Sequence, residues 1–190
     1  MSTAAVASPL SPHTTMADLQ AAIPGARRAL FSRYHIGGCQ SCGFRDDETL
    51  SEVCARNDGL PVDEVIAHLE ASHENDLRLQ ISPAELAEIL TAGPGGSPPV
   101  RLLDVRPQEE RDAVALPGAT AMSQDLLREA FATWDKNEPV FIYDHTGPQA
   151  LDIAAYFAGH GFTNVKALAG GIDRYSREID PSLPRYRVEW

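Results

Sequence analysis

The chain has 190 residues, of which 43% are hydrophobic and 23% are charged, a composition typical of a soluble globular protein. Its 16 basic and 27 acidic residues give a net charge of −11. This balance argues against nucleic acid as a partner, because phosphate binding requires clustered lysine and arginine. No apolar run in the sequence is long enough to span a membrane, so we expect no membrane partner either.

The cysteine content points to a reducing environment. Three cysteines cannot form the fully paired disulfide framework of a small secreted protein. The N-terminus also lacks a basic segment followed by an apolar core, which is the pattern of a secretory signal. We therefore expect a cytoplasmic location. Residues 1–15 are rich in Ser, Thr, Ala and Pro without periodicity, which predicts a disordered tail.

Residues 16–74 are predicted to form a small all-helical domain. Apolar residues recur at helical spacing on both sides of Pro24-Gly25, and a later helix has Pro61 in its first turn. The polar stretch 73–76 is the predicted domain boundary. Residues 77–81 then alternate between apolar and polar side chains like a short strand.

Strand and helix patterns alternate from residue 77 to residue 190. One helix begins with Ser82-Pro-Ala-Glu85, which combines an N-cap, a first-turn proline and a capping-box glutamate. Another opens at Gly170-Gly171. This alternation predicts an α/β fold, a parallel sheet flanked by helices, preceded by the small all-α domain. Three apolar runs have the composition of strands buried on both faces: 100–105, 140–143 and 165–168.

A short loop joins the strand at 140–143 directly to a helix. Such a loop points successive backbone N–H groups at one place, and the dipole of the following helix adds positive potential there. The sequence therefore predicts a cradle for an anion. The first position of the loop, where a nucleophile is expected, is an aspartate. The six loop residues are Asp144, His145, Thr146, Gly147, Pro148 and Gln149.

Six motifs, taken together and in order, resemble the rhodanese family. They are Leu103-Asp-Val-Arg106, Leu116-Pro-Gly-Ala119, Val140-Phe-Ile-Tyr143, Gly147, Ala158-Gly-His-Gly-Phe162 and Gly170-Gly-Ile172. The tail that runs from Gly170 to Tyr186 strengthens the match, which covers residues 77–190. The resemblance implies a rhodanese-like fold with a cysteine at the first loop position. In active members that cysteine takes up a sulfane sulfur as a persulfide and passes it to a thiophilic acceptor.

The sequence departs from that pattern at two loop positions, where Asp144 replaces the cysteine and Gln149 replaces a residue that is often basic. A carboxylate cannot take up a sulfane sulfur as a persulfide. We expect the Asp144 carboxylate to fill the anion cradle itself, with the amides lowering its pKa more than burial raises it. The loop is then a degenerate active site without a catalytic residue, and the chain is not expected to act as an enzyme through it.

Other roles for the residues around the loop were weighed. Aspartyl-phosphate chemistry at Asp144 would need a second acid, a P-loop lysine or a metal-binding carboxylate, and none accompanies it in sequence. His145 is expected to be an exposed loop residue rather than a base. Asp104 and Arg106 end a neighbouring strand, at the edge of the sheet where α/β proteins bind ligands. We expect them to form a structural ion pair or a helix cap.

Cys39-Gln-Ser-Cys42 is the other chemical candidate, because this spacing allows a disulfide or a shared metal. The loop with its flanking helices resembles small cysteine-containing helical domains of unassigned function, related to modules that precede iron–sulfur-repair and redox proteins. His35 and Cys54 complete no second closely spaced pair, so Cys39 and Cys42 form at most a half-site for metal. Cys54 lies on an apolar face and is expected to be buried.

Three functions remain open from sequence. The first is an inactive rhodanese-like module that binds or regulates, with an unknown protein or a sulfur or redox compound as its partner and no cofactor. The second is a sulfurtransferase or sulfur carrier in which Cys39 or Cys42 supplies the lost nucleophile. The third is a metal-binding protein built on the cysteine loop. We favour them in that order.

Overall fold

The computed structural model describes residues 10–37, 43–92 and 100–186. The chain divides into two compact units, Met1–Leu77 and Arg78–Trp190. No helix in these described ranges is long and apolar enough to cross a membrane. The first unit is helical, as predicted for the region before the sheet. Its helices are α1 (Met16–Ala22), α2 (Ala26–Tyr34), α3 (Leu50–Arg56) and α4 (Val62–Arg78).

The helical unit is built around one apolar core. Met16, Leu19, Leu30, Leu50 and Leu69 bring all four helices into it, and none of these side chains is exposed. The start of α3 is fixed by a capping box, in which Thr49 and Glu52 each bond the other's backbone N–H. Each buried leucine contributes about 2 kcal/mol of transfer free energy, so the core is what holds these short helices together.

Leu10–Thr15, which the sequence assigns to the disordered tail, belong to the ordered unit. Leu10 packs against the core, and the N–H groups of Leu50 and Ser51 donate to the carbonyls of Thr14 and Pro12 at 2.9 Å each. The low-complexity composition concealed these contacts with α3. Residues 1–9 of the predicted tail lie outside the described residues.

The predicted boundary at residues 73–76 also needs correction. These residues lie inside α4, which continues to Arg78, and the two units divide between Leu77 and Arg78. The predicted strand at 77–81 is reduced to Gln80–Ile81. Within this polar stretch Asp76 is buried and its carboxylate pairs with the Arg28 guanidinium, whereas Glu74 and Asn75 are exposed.

The second unit contains a five-stranded parallel sheet in the order β1-β5-β4-β2-β3. The parallel sheet flanked by helices confirms the predicted fold class. Its strands are β1 (Gln80–Ile81), β2 (Arg101–Asp104), β3 (Thr120–Ala121), β4 (Val140–Tyr143) and β5 (Val165–Leu168). Its helices are α5 (Pro83–Thr91), α6 (Gln108–Ala113), α7 (Gln124–Thr133), α8 (Pro148–Gly159) and α9 (Gly171–Glu178).

The central strand β4 is buried on both faces, as its composition predicts. Val140 and Ile142 belong to one core cluster, whereas Phe141 and Tyr143 belong to a second cluster on the other face. Helices therefore cover both faces of the sheet. The exact bounds of β4 and β5 and the capping box at Ser82 and Glu85 agree with the sequence prediction.

Asp104 and Arg106 form the structural ion pair that the sequence suggests. The Arg106 guanidinium donates to both carboxylate oxygens of Asp104, at 2.9 and 2.5 Å, and both side chains are at most 2% exposed. The Arg106 backbone N–H also donates to Asp104 at 3.0 Å, and the Tyr143 hydroxyl donates to it at 2.6 Å. Burial raises the pKa of Tyr143, and the hydrogen bond to Asp104 adds to the effect, so the phenol stays protonated as a donor. The network ties the ends of β2 and β4 together.

We predict that Asp104→Asn lowers the free energy of unfolding of the sheet unit by about 3 kcal/mol or more, because it leaves the buried Arg106 charge uncompensated. Asp125→Asn is the matched control, since it breaks an ion pair whose side chains are 74% and 91% exposed and should cost below about 1 kcal/mol. Urea unfolding followed by tryptophan fluorescence reports on this unit, because Trp134 and Trp190 both lie in it. Equal losses in the two variants would contradict the structural role of the pair.

Candidate functional site

The candidate site is the loop between β4 and α8, at the carboxyl edge of the sheet. Pro148 is the first residue of α8, where its missing N–H costs nothing and its fixed φ suits the helix. Gly147 precedes it with φ 112°, in the region that glycine tolerates best. These two residues turn the chain from strand to helix within a few residues, so the loop backbone curls around its first side chain.

That first side chain, Asp144, occupies the centre of the loop and is 5% exposed. The Gly147 N–H donates to Oδ1 at 2.5 Å, and the Gln149 N–H donates to Oδ2 at 2.8 Å. The expected anion cradle is therefore present, and the carboxylate of Asp144 is its occupant. Both oxygens lie where an external anion would otherwise receive these hydrogen bonds.

The pKa of Asp144 moves in the opposite direction from our prediction. Burial raises the pKa of this carboxyl above its ordinary value, and the backbone hydrogen bonds from Gln149, Gly147, Ala150 and its own amide oppose the shift without reversing it. The sequence predicted the amide donors of the loop but not the almost complete burial of the Asp144 side chain. The cradle therefore lowers the cost of a desolvated carboxylate without cancelling it.

Helix α9 holds the loop through backbone contacts. The Ile172 N–H donates to the Asp144 carbonyl at 2.9 Å, and the Asp173 N–H donates to the His145 carbonyl at 3.1 Å. Gly171 makes this approach possible, because a Cβ on it would lie 2.4 Å from the carbonyl carbon of His145. Gly171 is thus required by the close approach of the loop backbone to the start of α9.

A cavity of about 620 Å³ opens beside the loop. Loop residues 144–149 form one wall, and Arg106 and Glu110 form another. The remaining wall consists of Asp173 at the start of α9 and of Arg185 and Tyr186 near the C-terminus. Both arginines that line the cavity form ion pairs: Arg185 Nε donates to Asp173 Oδ1 at 2.8 Å, and Arg106 pairs with Asp104.

His145 is placed differently from the exposed residue that we expected. Its half-buried ring stacks on the ring of Tyr186, with 4.4 Å between centroids and 18° between planes. The Tyr186 hydroxyl accepts from Arg106 Nη1 at 2.7 Å and donates to Glu110 Oε2 at 2.5 Å. Burial raises the pKa of Tyr186 to about 12, with Glu110 contributing, so this hydroxyl remains a donor at neutral pH.

The structure describes one of the three cysteines, Cys54. Cys39 and Cys42 lie outside the described ranges, so a reactive or metal-bound thiol pair there stays a prediction. Cys54 is 2% exposed in the helical core, and burial raises the pKa of its thiol. Within residues 10–37, 43–92 and 100–186, no group of three or more His, Cys, Asp or Glu residues is placed to hold a metal ion.

The sequence profile of the rhodanese-like domain matches residues 82–178, just over half of the chain. The chain belongs to the rhodanese-like domain family. The match begins at the N-cap of α5 and ends at the last residue of α9, so it contains the whole loop and four of the five strands. The rhodanese-like fold that the motifs implied is confirmed.

Several proteins of known name are similar to this region. Thiosulfate sulfurtransferase GlpE of Actinobacillus succinogenes is 31% identical over 88 residues, which cover 46% of this chain and 79% of that protein. Rhodanese-like/PpiC domain-containing protein 12, chloroplastic, of Arabidopsis thaliana is 31% identical over 94 residues, covering 45% of this chain and only 30% of that protein. The structure of a human single domain sulfurtransferase aligns with a TM-score of 0.45 and 21% identity, over 53% of this chain and 96% of that one.

Sequence reasoning found the rhodanese-like loop but missed the far wall of its cavity. Glu110, Asp173, Arg185 and Tyr186 were assigned no role. Glu110 lies on α6, whose short polar sequence carries no apolar periodicity. Tyr186 lies 42 residues beyond Asp144 in sequence, and its hydrophobic ring with a polar tip was the one available signal.

We predict that Gly171→Ala destabilises the rhodanese-like unit by about 3 kcal/mol, because the new methyl group overlaps the loop backbone and the residue keeps a positive φ. Gly118→Ala is the matched control: its φ is 79°, but nothing lies within 4 Å of the added Cβ, so only the backbone strain of about 1 kcal/mol applies. Urea midpoints measure both changes. A Gly171 variant no worse than the Gly118 variant would refute the close approach.

We also predict a pH dependence of stability that arises from Asp144. A raised folded-state pKa means that the native state holds the proton after the unfolded state has lost it, so this carboxyl's contribution to stability falls as pH rises above about 4. The unfolding free energy of the natural chain, measured relative to Asp144→Asn, should therefore decrease from pH 4 toward neutrality. A difference that grows with pH would show that the amides dominate after all.

Proposed function

We propose that this rhodanese-like chain carries no persulfide on its loop and serves as a binding or regulatory module in sulfur or redox metabolism. The observation that carries the proposal is the Asp144 carboxylate, which accepts hydrogen bonds from the Gly147 and Gln149 amides with its two oxygens. In the active members that the sequence resembles, a nucleophilic cysteine stands at this position.

Electrostatics support the same conclusion. An incoming thiosulfate or persulfide is an anion, and it would meet the carboxylate of Asp144 where the amide donors are already engaged. The side chain is 5% exposed and cannot swing away without leaving those donors unpaired. Gln149 adds no positive charge to compensate. The loop thus retains the shape of a sulfurtransferase site while lacking both the nucleophile and an open anion site.

The similarity to thiosulfate sulfurtransferase GlpE supports a place in sulfur chemistry. The proposed partner is accordingly a protein, or a sulfur or redox compound, that recognises the rhodanese-like surface without being turned over on the loop. The chain spans less than a third of the Arabidopsis relative, so the activity of that longer protein is not carried over.

We predict that thiosulfate adds no sulfur to the loop peptide of the natural chain, whereas Asp144→Cys gains the mass of one sulfur atom. The amides and the α8 dipole stabilise the introduced thiolate, which attacks thiosulfate. One S–S bond forms, the S–S bond of thiosulfate breaks, and sulfite leaves with the electron pair. Thr146→Cys is the matched control, because it places a thiol in the same loop at an exposed position. The proteins are first reduced and then treated with thiosulfate, and the peptide masses measure the gain.

The same masses separate the competing functions. Sulfur on Cys39 or Cys42 of the natural chain, with turnover lost in the Cys39→Ser, Cys42→Ser double variant, would favour the sulfur-carrier alternative. Turnover that survives in that double variant would contradict the inactive-module proposal. Asp144→Cys remaining as unreactive as Thr146→Cys would show that the loop is not a competent cradle.

A further inference from the structure

Arg185 and Tyr186, which follow Pro184 near the end of the described residues, line the cavity beside the loop. Tyr186 makes three contacts there: its ring stacks on His145, and its hydroxyl sits between a donor from Arg106 and an acceptor on Glu110. Two of these partners are charged, and hydrogen bonds to charged groups are about twice as strong as neutral ones. The ring is thus held at its face and at its tip, as a bound ligand would be.

Arg185 provides a second attachment. Its Nε donates to Asp173 Oδ1 at 2.8 Å, and this interaction lowers the pKa of Asp173, keeping it ionised. Asp173 is also the residue whose N–H bonds the His145 carbonyl. Asp173 therefore links the Arg185 side chain to the loop backbone. Two consecutive side chains therefore hold the segment: Tyr186 stacks on His145 of the loop, and Arg185 pairs with Asp173 of α9.

Arg106 makes the tyrosine contact more than a surface interaction. Its guanidinium is fully buried, with Nε and Nη2 on Asp104 and Nη2 also on the Val114 carbonyl. Within the described residues, Nη1 has Tyr186 as its hydrogen-bond partner. The buried arginine thus presents one remaining donor to the cavity, and Glu110 presents an acceptor opposite it. The Arg106 donor and the Glu110 acceptor together bind the hydroxyl of Tyr186.

We propose that the cavity contains a phenol-binding site that the chain occupies with its own Tyr186, so that residues 184–186 act as an autoinhibitory latch over the loop. Under this proposal Tyr186 restricts access to position 144, since Tyr186 and Asp144 line the same cavity. A phenol is the ligand class that reproduces these contacts, because its ring can stack on His145 and its hydroxyl can lie between Arg106 and Glu110. The latch is independent of whether the loop transfers sulfur, so it goes beyond the proposed function.

Alkylation of a thiol at the first loop position tests the latch. In the Asp144→Cys background, adding Tyr186→Ala should raise the rate of iodoacetamide reaction at residue 144 about tenfold, because the contacts that favour the closed state are lost. Peptide mapping separates this site from Cys39, Cys42 and Cys54. Tyr156→Ala is the matched control, since Tyr156 is 50% exposed on α8 and does not line the cavity. Equal rates in the two double variants would overturn the latch.

Chemical rescue distinguishes recognition of the phenol from general loosening. Added p-cresol should restore slow alkylation to the Tyr186→Ala protein, whereas toluene, which lacks the hydroxyl, should restore it less. Equal effects of the two compounds, or none from either, would overturn the phenol site. The urea midpoint of each variant is measured in parallel. A rate increase that follows a lowered midpoint and does not respond to p-cresol would mean that Tyr186 acts only on stability, which also rejects the proposal.

Discussion

The buried ion pair between Asp104 and Arg106 joins the parts of the rhodanese-like unit that meet at the carboxyl edge of the sheet. Asp104 ends β2 and accepts from the Tyr143 hydroxyl at the end of β4, so adjacent strands share one carboxylate. Arg106 extends the network to the Val114 carbonyl and to Tyr186. A buried charge pair of this kind tolerates no loss of a single partner, because the remaining charge would be left in a medium that solvates it poorly. Through Arg106 this pair reaches the cavity lining and the hydroxyl of Tyr186.

The loop illustrates how a protein satisfies its own binding site. Backbone amides that converge at the N-terminus of a helix have to be paired, and in this chain Asp144 pairs with them. Desolvation makes that arrangement costly, which is why the pKa of the carboxyl rises even though its hydrogen bonds favour the charged form. The site is therefore filled by a buried carboxyl whose pKa is raised.

The sequence predicted most accurately where a structural signal is local. β4 and β5 are continuous apolar runs, the capping box at Ser82 is complete within four residues, and the double glycine marks the start of α9. The errors concern contacts between distant residues. Short β3 and polar α6 carry no periodicity, and Tyr186 contacts His145 only through the fold. Helix α4 continues through the polar stretch, where Asp76 pairs with the distant Arg28. Burial of Asp144 was missed for the same reason, since it depends on several elements packing around the loop.

The contacts between α9 and the loop have a consequence for how this fold changes over time. The carbonyls of Asp144 and His145 receive the α9 amides, and Gly171 supplies the clearance, so the loop path is set by main-chain atoms. The side chain at the first position of the loop takes no part in these main-chain hydrogen bonds. A substitution there alters charge and reactivity and removes the hydrogen bonds of Asp144 to the Gly147 and Gln149 amides, whereas the contacts of the loop backbone with α9 do not involve that side chain. Such a scaffold can gain or lose a chemistry at one residue without having to be refolded around it.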